Sequence, residues 1–169
     1  MVLAVAGAAV LTPGCGYRVL DPGVGAGRTV AVPTARNESR WRGIEADFTG
    51  ALRRDLQRQL DVRLADGPAD YRLVTALRDP VRSAPVRSIG GGAELGSMRV
   101  AISWQLLDAA DEVIENGEII RSLEFLPAEG ESDSSALAEM LDQIAEHVVI
   151  DVGLALDRFR SASASPPRK

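Results

Sequence analysis

A chain of 169 residues with 46% hydrophobic and 25% charged residues is long enough for one domain with a sizeable core, and 4% aromatics leave that core to Leu, Val, Ile and Ala. The 24 acidic residues outnumber 19 basic ones for a net charge of −5, which argues against nucleic acid as a partner, since that affinity comes from neutralising phosphates. Cys15 and His147 are the sole residues of their types, which excludes an internal disulfide and a multi-cysteine zinc site; with no G-x-x-x-x-G-K-[ST] loop either, no cofactor or metal is expected.

The chain opens on an uninterrupted apolar run at residues 2–11. As a helix, ten residues cover about 15 Å, half the roughly 30 Å of a bilayer's hydrocarbon core, too short for a span and suited to the apolar region of a secretory signal. Small residues ending in Gly14 lead into Cys15, and this stretch resembles the processing site of bacterial lipoproteins, with Leu11 four residues before the cysteine. The resemblance implies that residues 1–14 are a signal peptide and that the Cys15 thiol carries the lipid. Acyl chains such as palmitate anchor by about 0.8 kcal/mol per buried CH2. The alternative is an inert thiol buried at the start of a domain. Residues 15–27, rich in Pro and Gly, read as the lipidated N-terminus and a flexible tether.

Residues 28–33 form the first predicted strand, closed by Pro33, and the polar residues 37–42 connect it to a helix over 43–60. Ile44, Phe48, Leu52, Leu56 and Leu60 recur there every four residues with Ala51 alongside, one apolar stripe, while Glu45 and Asp47 occupy the first turn, where carboxylates suit the helix dipole. Arg53, Arg54 and Arg58 beside Asp55 read as its solvated face, and Trp41 as a partner contact or a cap over the helix end.

After a break at Asp66-Gly67-Pro68, residues 71–78 are a second strand and residues 88–96 a glycine-rich loop. Residues 98–107 alternate with period two, with Met98, Val100, Ile102, Trp104 and Leu106 on one face. A turn at 108–111 joins them to a partner strand over 113–126, interrupted near Asn116 and Gly117. The last helix runs from about 134 to 159 on a stripe of Leu137, Leu141, Ile144, Val148, Val152 and Phe159, reinforced by Met140, Ala145 and Leu156, and the serines before it offer N-cap side chains. Residues 161–169 read as a disordered tail. The order β-α-β-β-β-α buries every apolar face as an α+β two-layer sandwich over 28–160, two helices on one face of a mostly antiparallel four-stranded sheet. Strand order does not follow from the pattern.

With these elements placed, "CGYRV" (15–19), "VAVPTARNES" (30–39), "GIEADFTGALRRDL" (43–56), the hairpin "RVAISWQLLDAADEVIENGE" (99–118) and the closing helix resemble the LptE family, outer-membrane lipoproteins of lipopolysaccharide assembly. The resemblance covers roughly residues 15–160. It implies a non-enzymatic plug inside the LptD β-barrel that supports barrel assembly and binds lipopolysaccharide on its way to the outer leaflet. It also implies a lipid anchor at the periplasmic face of the outer membrane. A general lipoprotein adaptor of another envelope complex would share the anchor and fold without that barrel partner. An enzyme is the third class, but His147 lies in mid-helix and no serine sits in G-x-S-x-G, so no catalytic residue is expected.

Lipopolysaccharide carries phosphates and carboxylates, whose recognition calls for clustered Arg or Lys. Between residues 71 and 99 five arginines face two acids, a local +3 within the net −5 chain. Arg78, Arg82 and Arg87, with Arg99 and Arg121 nearby, are therefore the candidates to face an anionic glycolipid or an acidic barrel wall. The plain alternative is a solvated edge with local ion pairs. Trp104 reads as core and His147 as a packing or surface residue.

Overall fold

The computed structural model describes residues 23–87, 93–127 and 132–164. In chain order the elements are β1 (Arg28–Ala31), β2 (Arg36–Glu38), α1 (Ile44–Gln59), β3 (Val62–Ala65), β4 (Tyr71–Arg78), β5 (Val81–Arg87), β6 (Ala93–Asp108), β7 (Val113–Phe125) and α2 (Asp133–Ala164). Both helices lie on one face of one sheet, as expected for an α+β two-layer fold. The sheet corrects the expectation of four mostly antiparallel strands: among the described residues it has seven, and it is mixed.

The extra strands share lanes. β6 pairs antiparallel with β7 along one side, and along the other with β4 through its C-terminal half and β5 through its N-terminal half. β4 and β5 thus form one lane, broken at Asp79-Pro80, where proline removes a ladder donor. β1 and β2 likewise share the next lane, pairing parallel with the start and end of β4, and β3 pairs parallel with β1. A parallel pair needs a crossover, and α1 supplies it between β1 and β3.

The gap in the β1–β2 lane leaves backbone groups that α1 satisfies. Arg53 donates through Nε and Nη2 to the carbonyl of Val32 at 3.1 and 2.6 Å, and the Ala35 N–H donates to Thr49 Oγ1 at 3.0 Å. Arg53 is thus a staple rather than part of a solvated face. Arg54 pairs with Asp142 of α2 at 3.5 Å, and Arg58 with Asp55 at 2.8 Å.

The core stripes are as expected: Ile44, Phe48, Leu52, Leu56 and Leu60 meet Leu137, Leu141, Ile144, Val148 and Val152 over the inward face of the sheet, and Trp104 is buried. Trp41 is half-buried against this core, its carbonyl accepting from Asn37 Nδ2 at 2.6 Å. Ser132 caps α2, its Oγ accepting from the Ser135 N–H at 3.1 Å while the Ser132 N–H donates to Ser135 Oγ at 3.0 Å.

Other expectations are corrected. Phe159 leaves the stripe and is 42% exposed. α2 continues to Ala164, into the expected tail, and residues 165–169 lie outside the described residues. The last five residues of the expected tether, 23–27, form turns with Gly25 and Gly27 at φ 86° and 73°, and Val24 is in the core. β6 begins within the expected glycine-rich loop, of which residues 88–92 lie outside the described residues.

β7 is not interrupted at Asn116 and Gly117, which pair with Gln105 and Trp104. Gly117 is there for space: a Cβ would stand 2.8 Å from Trp104 Nε1. At Gly96 a Cβ would stand 2.4 Å from the Phe125 ring. Gly96→Ala and Gly117→Ala are therefore each expected to destabilise by about 1–3 kcal/mol in urea unfolding, and Phe125→Leu should recover part of the loss only in the Gly96→Ala background.

Candidate functional site

Strand parity assigns the candidate arginines to faces. In an unbroken strand Arg78 and Arg82, four residues apart, would share a face. Leu77 pairs with Ile102 and Val81 with Arg99, so four steps along the β4–β5 lane oppose three along β6. The extra residue at Asp79-Pro80 is a bulge that reverses the parity. Arg78 therefore points to the open face, whereas Arg82, opposite buried Met98, points to the helix side and pairs with Asp133 of α2 at 2.6 Å.

Arg99 is on the open face, with Nε 3.4 Å from Ser122 Oγ. Arg121 pairs in register with buried Val100, on the helix side, and is half-buried. Arg87 pairs through its backbone with Ala93, and its side chain lies outside the described residues, as does Cys15. The five candidates thus do not form one patch: the sheet brings Arg78 and Arg99 together and turns Arg82 and Arg121 away.

The open face has features that the charge count missed. Val81 is 63% exposed and Ile120 52%. Val81, Arg99 and Ser122 form one cross-strand row, and Ala101 and Ile120 pair in the next. Arg78 Nη2 is 3.2 Å from Glu118 Oε1. Further along, a hollow of about 320 Å³ is lined by Arg36, Glu38, Val74, Ala76, Gln105 and Asn116. The result is a face with guanidinium groups set among small and apolar side chains, able to take a ligand that is anionic and apolar at once. The β7 alternation carries the signal that would have exposed Ile120, since Ile119 points inward.

A second group lies under the β7 edge, where Glu115 pairs with Arg158 of α2 at 2.8 Å beside Asp151. Trp104 Nε1 is buried there without a hydrogen-bond partner. Burial raises the Asp151 carboxyl above its ordinary 3.8; Glu115 adds to this, while His147 and Arg158 oppose it. His147 Nδ1 lies 2.8 Å from the Gln143 carbonyl on the exposed side of α2. Among the described residues no group of three His, Cys, Asp or Glu is placed to hold a metal, and no helix is long and apolar enough to cross a membrane.

A family model described as LptE, lipopolysaccharide-assembly, matches residues 27–152. The chain belongs to the LptE family. The match spans every described strand and most of α2, so both faces of the sheet are LptE-family structure. No curated protein matches the chain. Among solved structures, a Xanthomonas campestris protein is similar at 14% identity and TM-score 0.54, covering 86% of this chain and 94% of that one. A minor lipoprotein from Acinetobacter baumannii is similar at 11% identity and TM-score 0.51, covering 75% and 93%. A PelC dodecamer from Paraburkholderia phytofirmans gives 16% identity and TM-score 0.51, covering 76% and 90%. At these identities the likeness is one of fold.

The raised Asp151 has a testable sign. A carboxyl whose folded pKa exceeds its unfolded one stabilises while protonated, and that contribution is lost as pH rises through the folded value. Asp151→Asn is expected to raise the melting temperature at pH 7.5 and to leave it unchanged at pH 3, as read by thermal circular dichroism.

Proposed function

We propose that this LptE-family chain is a lipoprotein of the outer membrane, anchored through acylated Cys15 on the periplasmic side. It seats as a plug in an LptD-like β-barrel, supports assembly of that barrel, and binds lipopolysaccharide during its passage to the outer leaflet. The observation that carries the ligand reading is the pairing of Arg78 and Arg99 with exposed Val81 and Ile120 on the open sheet face. Guanidinium groups match phosphate and carboxylate oxygens bidentately, and the aliphatic side chains between them suit the acyl part of a glycolipid. The opposite face is closed by the helices, and there Arg82 joins β5 to the first turn of α2.

The plug reading rests on a compact two-layer body with a charged exterior, which suits the polar lumen of a large barrel. Two measurements test the whole. A tagged full-length protein drawn from gently solubilised outer membranes is expected to bring down one large β-barrel protein, and its N-terminal peptide to carry an acylated Cys15. Recovery alone, or with inner-membrane proteins and an unmodified thiol, contradicts the reading.

The face assignment has its own test. Arg78→Ser with Arg99→Ser is expected to weaken lipopolysaccharide retention about tenfold, the loss of one or two charge-assisted contacts. Arg82→Ser should leave retention unchanged and cost at most about 1 kcal/mol of stability, since the Arg82 side chain is largely exposed. Equal effects from the two sets would refute the division between faces.

A further inference from the structure

The end of the domain where the chain enters holds a half-open cavity of about 370 Å³, lined by Gly23, Arg28, Tyr71, Leu156, Phe159 and Arg160 among others. Its walls differ in chemistry. One side is apolar: the last turns of α2, where Phe159 stands 42% exposed, together with buried Leu156 and Tyr71. Arg28 and Arg160 bring guanidinium groups to the rim, and Arg160 is held in place by Asp157 at 3.2 Å and by the Gly23 carbonyl at 3.5 Å. The Gly23–Gly27 turns fix the other side, because Val24 is buried and its carbonyl accepts from the Asp61 N–H at 3.2 Å.

We propose that this cavity receives the headgroup of an anionic phospholipid from the leaflet that holds the lipid on Cys15. The phosphate sits between Arg28 and Arg160, and the glycerol and first acyl methylenes lie on Phe159 and Leu156. The inference rests on the anchored reading given above. Cys15 precedes Gly23 by eight residues, a reach of at most about 29 Å when fully extended, so an acylated Cys15 keeps this end of the domain within that distance of the bilayer. The charge of the rim and the apolar shelf beneath it match the order of groups in a phospholipid, phosphate first and hydrocarbon behind. A headgroup held here gives the membrane a second grip beside the acyl chains, and two attachments fix the domain's orientation where one leaves it free to swing.

The test uses the full-length protein purified in a non-ionic detergent and titrated with phosphatidylglycerol or phosphatidylcholine, with bound lipid counted by native mass spectrometry. Phosphatidylglycerol is expected to bind more tightly, and Arg28→Ser with Arg160→Ser to weaken it about tenfold. Phe159→Ser should weaken both lipids, and none of these variants should alter lipopolysaccharide retention or the circular dichroism melt. Phosphatidylglycerol binding that is indifferent to all three substitutions, or that falls only with Arg78→Ser and Arg99→Ser, overturns the proposal. The intact mass reports acylation of Cys15 in the same sample. An unmodified cysteine thus removes the anchor separately, while the titration still decides the cavity.

Discussion

Every other long strand takes its register from the alternation in β6. Met98, Val100, Ile102, Trp104 and Leu106 all face the helices, and a slip of one residue would carry the whole set to solvent. That constraint holds β4, β5 and β7 in place, and through β4 it holds the parallel strands β1 and β2. The two glycines on this face show how closely it is packed. Gly96 and Gly117 sit where Phe125 and Trp104 leave no room for a methyl group, so the aromatic rings lie directly on the neighbouring backbone.

The sheet also divides the charges. On the helix side Arg82 finds Asp133 in the first turn of α2, whereas Arg121 lies along the sheet with its Nη1 3.5 Å from the Ile120 carbonyl. On the open side Arg78 and Arg99 have no layer above them among the described residues, and their immediate partners are Glu118 and Ser122. A run of cations that looks like one feature in the chain is therefore two in space. Arg82 is engaged between the layers, while Arg78 and Arg99 lie on the face that the helices leave open.

How much of this was legible follows from how far each signal reaches along the chain. The stripes of α1 and α2 and the alternation of residues 98–107 are local and repeat often enough to specify their elements. The turn at 108–111 was legible for the same reason. β2 offers three polar residues and β3 four residues after a helix, too few to display a period. Their parallel pairing is decided by a crossover that local pattern does not encode. β5 shows no alternation of its own because Pro80 and Pro85 interrupt it, and in the sheet they mark a lane break and a bulge. The division of the arginines was illegible for a related reason: parity counting gives the wrong face once a single residue is inserted, and the insertion is visible only in the register.

β7 lies at the rim of the sheet and, among the described residues, pairs with β6 alone. Thirteen residues of backbone would ordinarily be a template for zipping two copies together. Glu115, Glu118 and Glu124 are spread along it, the first two in ion pairs with Arg158 and Arg78, and Arg121 folds its guanidinium back to 3.5 Å from its neighbour's carbonyl at Ile120, so charged side chains stand along the whole border. Charge guards the rim. A domain with a long bare border thereby resists self-association without spending a helix to cover it.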